Sequence, residues 1–198
     1  MFQNLESEIH IHTINFSTER NSVENYFQFI SEDEKGKVNR FKFSVNRQNS
    51  IITYYFRRKI LSQYLIIEPS EIEFSYNAYG KPLISEPQRS GIHFNYSHSD
   101  DFLIFAVSKN IEVGIDIELV KDLPDLIDLA KNYFSDSEFQ HFHSLENKID
   151  RINFFYKIWT RKEALLKAAG IGITDDLKSI NLMTENNLNR LAEKIDFM

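Results

Sequence analysis

Hydrophobic residues recur at helical spacing in two long segments of the chain. Residues 44–65 carry apolar side chains three and four positions apart, and Pro69, which cannot continue a helix, follows closely. Residues 150–169 show the same spacing and are followed by Gly170, a residue that commonly ends helices. The pattern therefore predicts one long helix before the middle of the chain and a second long helix after it.

Shorter helices are predicted from composition and from capping signals. Ser31 with Glu34, and Ser135 with Glu138, have the serine-to-glutamate spacing of a capping box, so a helix is expected to begin after each serine. The second of these helices is expected to run to about Leu145. Further helices are predicted at 19–30, 124–134 and 186–195.

The middle of the chain changes to short alternating runs bounded by polar turns, a pattern typical of β-strands. Close spacing of these runs favours an antiparallel meander, and the mixture with helices predicts an α+β fold. Two helix-then-strand halves, at 1–109 and 110–198, follow from this order, although the sequence shows no repeat between them. Strands are predicted at 8–16, 71–76, 81–84, 92–96, 102–107, 111–118 and 179–183.

The composition excludes several classes of site. The 198-residue chain contains no cysteine, which excludes disulfides, zinc–thiolate sites and cysteine nucleophiles. Its net charge of −6 argues against a general nucleic-acid binder. The first residues lack the basic and apolar regions of a signal peptide, and no apolar run approaches the ~18 residues of a membrane span. We therefore expect a soluble, cytoplasmic protein.

Candidate chemistry begins in residues 111–118. On a strand, residues two apart share a face, so Asp116 and Glu118 point one way while Ile115 and Ile117 point the other way. Two carboxylates on one face suit Mg²⁺ or Mn²⁺. The alternative is a half-buried strand whose outer face is simply solvated.

The second long helix carries further charged residues of interest. Glu163 and Lys167 are one turn apart, and the alternative to a functional role is an exposed ion pair. Lys162 projects from the apolar side, where an ammonium group needs an anion or must reach solvent. A cluster of basic residues upstream is either an anion site or a solvated helix face; it comprises Lys35, Lys37, Arg40 and Lys42.

The histidines offer no clear metal site in the sequence. His10 with His12, and His141 with His143, form two His-x-His pairs. The second pair falls on a predicted helix, where positions two apart do not face each other. We interpret both pairs and His93 as structural or surface residues.

Two motifs carry a resemblance to a known family. Gly114-Ile-Asp-Ile-Glu118, followed about forty residues later by Trp159-Thr-Arg-Lys-Glu-Ala-Leu-Leu-Lys167, resembles the signature motifs of 4'-phosphopantetheinyl transferases of the surfactin-synthetase-activating type. Tyr79-Gly-Lys-Pro82 and Phe94-Asn-Tyr-Ser-His-Ser99 extend the resemblance, which covers most of residues 25–180.

The resemblance implies a two-lobed fold, and this sequence differs from the family pattern after Met183. It implies two similar lobes related by pseudo-twofold symmetry, 1–109 and 110–198, each a small antiparallel sheet packed with helices. The active site is then expected in the cleft between the lobes, so that one chain suffices and a monomer is expected. Members of this type usually have a further β-hairpin after the position of Met183, where this sequence has only about fifteen residues.

The resemblance also implies an activity, namely that of a holo-[acyl-carrier-protein] synthase. The reaction moves the 4'-phosphopantetheine group of coenzyme A to a serine of an apo acyl- or peptidyl-carrier protein and releases adenosine 3',5'-bisphosphate. Fatty-acid, polyketide and nonribosomal-peptide carriers all remain open. The alternative is a non-catalytic module that binds coenzyme A or a carrier protein. No nucleic-acid or membrane partner is expected.

Site residues follow from the resemblance position by position. Mg²⁺, with Mn²⁺ as the alternative, is expected to be held by Asp116, Glu118 and Glu163. Asp116, Glu163 and Lys167 are the expected catalytic residues, with Glu163 as general base and Lys167 as the partner of the leaving phosphate. The expected contacts to coenzyme A are Lys37, Tyr79, Gly80, Lys81, Pro82, Ser97, His98, Lys162 and Lys167.

Two positions depart from the family pattern. A phosphate-binding lysine of the family falls at Glu34, and an arginine early in the first long helix falls at Asn49. We therefore expect weaker binding of the coenzyme A phosphates than is usual in the family.

Overall fold

The computed structural model describes residues 5–87, 90–171 and 175–183, which fall into two compact units, Met1–Val113 and Gly114–Met198. Its α-helices and small antiparallel sheets confirm the predicted α+β class. Within the described ranges, no helix is both long enough and apolar enough to cross a membrane.

The first unit contains five strands and four α-helices in the described residues. The strands form a three-stranded antiparallel sheet in the order β1-β5-β4 and a separate β2-β3 hairpin. Short 3-10 turns lie at Arg20–Ser22 and Pro69–Glu71. The elements are β1 (His10–Asn15), α1 (Phe16–Glu19), α2 (Val23–Phe27), α3 (Glu32–Val38), α4 (Ser44–Leu65), β2 (Glu73–Tyr76), β3 (Pro82–Glu86), β4 (Ile92–Ser99) and β5 (Phe102–Lys109).

The core of this unit lies between α4 and the three-stranded sheet. β5 is the middle strand, and Leu103, Phe105 and Val107 on it are fully buried. Ile51 and Leu61 of α4 are fully buried as well and belong to the same hydrophobic cluster. The predicted amphipathic pattern of α4 is therefore confirmed, and the helix spans the residues that the pattern predicted.

The second unit is helical in its described residues. It comprises α5 (Leu126–Tyr133), α6 (Asp136–Ser144), α7 (Lys148–Ala169) and a 3-10 turn at Asp175–Ser179. Asn147 caps the start of α7 by accepting a hydrogen bond from the backbone N–H of Ile149. Gly170 ends the helix with a left-handed conformation. Apolar residues of these helices form its main core, including Ala130, Phe134, Phe142, Phe155 and Ile158.

Three predictions about local structure were wrong. Residues 111–118 carry no strand in the part of the chain that the structure describes. Residues 179–183 form no strand: Ser179 ends the 3-10 turn, and a turn follows at 182–183. The helix predicted at 19–30 is interrupted by a 3-10 turn. The helix predicted at 186–195 lies outside the described residues.

The two units repeat one arrangement of capped helix and long helix. In each, a short helix begins with a capping box, confirmed by both hydrogen bonds, and a helix of 22 residues follows. The capping-box glutamate of each short helix forms an ion pair with a basic residue of the long helix. Corresponding positions are 104 residues apart in every case: Ser31 and Ser135, Glu34 and Glu138, Arg58 and Lys162.

Candidate active site

Gly114 brings the segment that follows it into direct contact with α7. A β-carbon at this position would lie 1.9 Å from the carbonyl oxygen of Ala164 and 2.4 Å from the backbone nitrogen of Ala168. Because no side chain fits at such distances, only glycine allows this approach of two backbones. The approach places Asp116, two residues later, beside the last turns of α7.

Asp116 forms an ion pair with Lys167. Its Oδ1 atom accepts a hydrogen bond of 2.6 Å from the Lys167 ammonium, and the Asp116 side chain is only 4% exposed. The Lys167 side chain is 29% exposed and therefore reaches the edge of the unit. A buried carboxylate thus holds the charged end of a lysine in a fixed position near solvent.

Glu163 lies one helical turn before Lys167 and is half-buried. Its Oε1 atom is buried and makes no hydrogen bond. Burial raises the pKa of the Glu163 carboxyl, and the nearby charges of Asp116 and Glu118 raise it further, while Lys167 acts in the opposite direction. The three predicted carboxylates therefore influence one another in a single local environment.

This environment has the chemistry of a cation site without being a complete one. In the parts of the chain that the structure describes, no three His, Cys, Asp or Glu side chains are arranged to hold a metal ion. Mg²⁺ is commonly bound by one or two carboxylates together with waters and substrate phosphates. The buried Oε1 atom of Glu163, in surroundings with an excess of negative charge, fits such a ligand.

Lys162 has a protein partner. Its ammonium lies 2.7 Å from Oε2 of Glu138, and both side chains are almost completely buried. It also donates hydrogen bonds to the carbonyl oxygens of Tyr133 and Leu177. Burial lowers the pKa of Lys162, and Glu138 partly offsets this effect. The anion that the sequence required is therefore Glu138, and a coenzyme A phosphate is not needed to account for Lys162.

Tyr79, Gly80 and Lys81, which are expected to contact coenzyme A, lie in the turn of the β2-β3 hairpin. The side-chain oxygen of Asn77 accepts hydrogen bonds from the backbone N–H groups of Tyr79 and Lys81. Gly80 has a φ of 83°, which favours glycine at this position. Strand β3 begins at Pro82, directly after the turn, and Tyr79 is 56% exposed.

Glu112 is a residue near this turn that the sequence analysis missed. Its carboxylate binds the Lys81 ammonium at 2.6 Å and Nδ1 of His93 at 2.8 Å. Burial opposes its ionisation, but Lys81 and His93 outweigh this effect and lower the pKa of Glu112. Glu112 comes 31 residues after Lys81, so no local pattern indicated the pair.

Lys37 lies beside the same hairpin. Its Nζ atom is 4.3 Å from the centroid of the Tyr76 ring and 3.3 Å from the Tyr76 hydroxyl. Tyr76 in turn pairs with Pro82 across the hairpin. Lys37 and the hairpin turn that is expected to contact coenzyme A therefore lie on neighbouring parts of the first unit.

Ser97 and His98 lie within β4, which therefore extends beyond the strand predicted at 92–96. β4 continues to Ser99 because its register with β5 is regular to the end, pairing His98 with Leu103. Ser97 is buried and His98 is exposed, as expected for neighbours on a strand.

The departures at Glu34 and Asn49 have structural correlates. Glu34 is 2% exposed and pairs with the guanidinium groups of Arg57 and Arg58, so it is part of the core of the first unit. The backbone carbonyl of Asn49 accepts a hydrogen bond from the Thr53 hydroxyl. Its Oδ1 atom is buried without a hydrogen bond. Arg57, at 1% exposure, was not identified from the sequence, where it reads as a polar residue of an amphipathic helix.

Comparison with known families assigns this arrangement to a class of enzymes. A family model described as the 4'-phosphopantetheinyl transferase superfamily matches residues 112–196. A second, described as 4'-phosphopantetheinyl transferase, N-terminal, matches residues 15–110. The first match contains every residue of the Asp116, Glu163 and Lys167 cluster.

Individual relatives agree with the family models. The chain is 34% identical over 170 residues to the 4'-phosphopantetheinyl transferase HetI of Nostoc sp., a match that covers 85% of this chain and 71% of the relative. It is 32% identical over 159 residues to the 4'-phosphopantetheinyl transferase Sfp of Bacillus subtilis, which covers 80% of this chain and 68% of the relative. The chain therefore belongs to the 4'-phosphopantetheinyl transferase superfamily, and the resemblance to its surfactin-synthetase-activating type is confirmed.

Proposed function

We propose that this protein transfers the 4'-phosphopantetheine group from coenzyme A to a serine of an apo acyl- or peptidyl-carrier protein and releases adenosine 3',5'-bisphosphate. The observation that carries the proposal is the Asp116–Lys167 ion pair beside Glu163. This arrangement offers a proton acceptor and a fixed positive charge next to each other, as an attack by a serine hydroxyl on a pyrophosphate requires.

Glu163 is proposed as the general base. Its Oε1 atom is buried and makes no hydrogen bond, so the carboxylate can accept the proton of the serine hydroxyl, directly or through a water. Lys167 is proposed to neutralise the leaving phosphate, and Asp116 keeps its ammonium in place. The surroundings of each of these residues therefore favour the role that is proposed for it.

Mg²⁺, or Mn²⁺ in its place, is proposed as the cofactor. Asp116, Glu118 and Glu163 would hold it, and the ion would supply positive charge for the pyrophosphate oxygens. Burial is the largest cause of the raised pKa of Glu163, and the charges of Asp116 and Glu118 add to it. That contribution from neighbouring carboxylates supports the assignment, because a divalent cation would relieve it.

The coenzyme A contacts are proposed in the first unit. Lys37 would meet a phosphate, and the hairpin turn from Tyr79 to Pro82 would read the adenine. Ser97 and His98 would meet phosphates of coenzyme A, and Lys167 is proposed as a further contact to this substrate. Lys162 is omitted, since Glu138 already neutralises it.

We further propose two similar lobes, at 1–109 and 110–198, in a monomeric cytoplasmic protein. The constant spacing of 104 residues between corresponding capping and ion-pair residues supports the similarity of the lobes. The division between Val113 and Gly114 lies close to the proposed boundary. Their pseudo-twofold relation and the cleft between them stay predictions.

The test is incubation of the full chain with coenzyme A, Mg²⁺ and a panel of apo carrier proteins, followed by mass spectrometry of each carrier. The expected result is a gain of one phosphopantetheine group on at least one carrier. Glu163→Gln should reduce the rate at least 10³-fold, whereas Glu146→Gln, which changes an exposed glutamate, should leave it unchanged. Binding of coenzyme A without any mass gain would identify the non-catalytic alternative, and near-normal turnover by Glu163→Gln would refute the mechanism.

A further inference from the structure

The hydroxyl of Tyr76, at the end of β2, lies between two positively charged side chains. Nζ of Lys37 is 3.3 Å from the hydroxyl oxygen, and Arg57, which is only 1% exposed, acts on the same hydroxyl from the interior of the first unit. Burial opposes ionisation of the phenol, but Arg57 and Lys37 outweigh this effect and lower the pKa of Tyr76. The O–H group of Tyr76 is therefore a stronger hydrogen-bond donor than that of an ordinary phenol.

Positive charge exceeds negative charge around this hydroxyl. Arg57 and Arg58 share the carboxylate of Glu34, so one of the two guanidinium charges is not neutralised by it. Lys37 adds a third cation, and no carboxylate of the described residues lies within ion-pair distance of it. The group therefore has three positive charges and one negative charge, an excess of two.

Tyr76 and Lys37 have hydrogen-bond donors to spare. The Tyr76 oxygen accepts a hydrogen bond from Lys37 and still carries its own O–H, for which the described part of the chain offers no acceptor. The Lys37 ammonium has three N–H groups, of which one is directed at Tyr76. Tyr76 is 44% exposed and Lys37 is exposed, so an acceptor from solvent can reach both. Free donors in an excess of positive charge are the surroundings that an anion requires.

These donors lie beside the hairpin turn that is proposed to contact coenzyme A. Tyr76 pairs with Pro82 across the hairpin, directly before and after the turn. Coenzyme A carries one phosphomonoester, at the 3' position of its ribose, and a diphosphate bridge. A phosphomonoester has a charge of about −1.5 to −2 at neutral pH, whereas each phosphate of the bridge has a single negative charge. An excess of two positive charges therefore matches the phosphomonoester.

We propose that Tyr76 binds the 3'-phosphate of coenzyme A together with Lys37, and that Arg57 positions the Tyr76 hydroxyl for this contact. The proposal rests on the proposed function for the identity of the ligand. Tyr76 and Arg57 would then compensate for the basic residues that the family pattern has at Glu34 and Asn49. The consequence is a preference of this protein for coenzyme A over 3'-dephospho-coenzyme A.

The test is isothermal titration of the full chain with coenzyme A and with 3'-dephospho-coenzyme A, in Mg²⁺ and without a carrier protein. The unmodified protein should bind coenzyme A about tenfold more tightly or better. Tyr76→Phe should weaken coenzyme A about tenfold and 3'-dephospho-coenzyme A less than about twofold, because only the phosphate contact is lost. Tyr55→Phe, which removes the hydroxyl of a tyrosine stacked on Tyr26, should change neither affinity.

Two further pairs of variants separate binding from positioning. Lys37→Gln should reduce the preference for coenzyme A, whereas Lys42→Gln, at another exposed lysine, should not. Arg57→Met should weaken coenzyme A without weakening 3'-dephospho-coenzyme A, and Arg57→Lys, which keeps the positive charge, should restore most of the preference. A purely structural role of Arg57 would instead weaken both ligands together. Circular dichroism checks that each variant is folded.

A measurement on the unmodified protein keeps the test valid if a variant fails to fold. Saturating coenzyme A should shift the ring NMR signals of Tyr76 and leave those of Tyr55 in place, and 3'-dephospho-coenzyme A should shift the Tyr76 signals much less.

Failure of this proposal is distinguishable from failure of the proposed function. Equal affinity of the unmodified protein for the two ligands, equal weakening of both by Tyr76→Phe, or absence of coenzyme A binding at millimolar concentration would overturn the assignment of Tyr76. Carriers that gain phosphopantetheine while the affinities show no such preference would leave the proposed function standing alone. The preference without any mass gain on a carrier would support the 3'-phosphate site and refute the transfer activity.

Discussion

Lys162 and Glu138 form an ion pair of 2.7 Å in which neither side chain is more than 1% exposed. Glu138 also accepts hydrogen bonds from the backbone N–H groups of Ser135 and Leu182, and Lys162 donates one to the carbonyl of Leu177. The pair therefore connects α6, α7 and the residues of the 3-10 turn. A buried charge that loses its partner is costly, so the second unit depends on both members being present.

Lys162→Met should strongly destabilise the protein, because it leaves the Glu138 carboxylate buried without its cation. We expect a loss of about 3–5 kcal/mol in the free energy of unfolding, measured by urea denaturation. Lys157→Met, on an exposed position of the same helix, should change it by less than about 0.5 kcal/mol. The double variant Lys162→Met/Glu138→Gln should lose less than the two single losses added together. Equal stability of the Lys162→Met and Lys157→Met proteins would contradict this account.

Glu34 should make the stability of the protein depend on pH in the acid range. Burial alone would raise the pKa of its carboxyl, but the Arg58 hydrogen bond and the Arg57 charge outweigh burial and lower it. Because the pKa is lower in the folded state, the ion pairs stabilise the fold above the unfolded pKa, and this contribution is lost as pH falls through the folded value.

Thermal unfolding of the unmodified protein and of Glu34→Gln between pH 3 and pH 7 measures this contribution. The difference in Tm should be largest at neutral pH and should narrow as the pH falls. Glu32→Gln, whose carboxylate is exposed in the same helix, should follow the unmodified protein at every pH. A difference between the unmodified protein and Glu34→Gln that stays constant over this range would show that Glu34 does not act through its charge.

Gly114→Ala should separate the Asp116 segment from α7, because the added methyl group would meet backbone atoms that cannot move aside. We expect a loss of more than about 3 kcal/mol in the free energy of unfolding, together with loss of transfer activity. The control is Gly36→Ala in α3, where a methyl group meets nothing within 4 Å and should stabilise the helix by about 0.5–1 kcal/mol. A Gly114→Ala protein as stable and active as the unmodified one would exclude the close approach.

Glu163→Gln should stabilise the protein when no divalent ion is present. The pKa of Glu163 is raised in the folded state, so its ionised form is disfavoured there and costs stability as pH rises above the unfolded value. In EDTA at neutral pH the variant should have a Tm a few degrees higher, and the difference should disappear as pH falls towards 4.

The same pair of proteins tests the proposed metal site. Added Mg²⁺ should raise the Tm of the unmodified protein and should have little effect on Glu163→Gln, because binding to the folded state alone increases stability. An equal response of the two proteins to Mg²⁺ would remove Glu163 from the set of ligands.

Local features of the fold could be predicted from the sequence because their causes are local. The bounds of α4 agree with its apolar spacing, and both capping boxes form as their serine-to-glutamate spacing indicated. The strand predicted at 111–118 was wrong, because alternation of polar and apolar residues is a local pattern and does not by itself determine whether a strand ladder forms.

Some residues of the candidate site could be predicted from the sequence, and others could not. The family motifs indicated Asp116, Glu163 and Lys167 in advance, and the structure places Asp116 and Lys167 in contact. The partner of Lys162 could not be chosen in advance, because Glu138 lies in a different helix and its capping role alone accounted for its presence. The available signal was the position of Lys162 on the apolar face of its helix. From that position the need for an anionic partner was predicted correctly.

Helices α3 and α6 are short, with seven and nine residues, and helices of this length are scarcely stable alone in water. In both, the glutamate that closes the first turn is the same residue that pairs with the neighbouring long helix. One glutamate side chain therefore both caps the first turn of the short helix and forms the ion pair that holds this helix against the long helix. Such a connection makes secondary structure and tertiary packing form together, so each unit should unfold cooperatively, without first releasing its short helix.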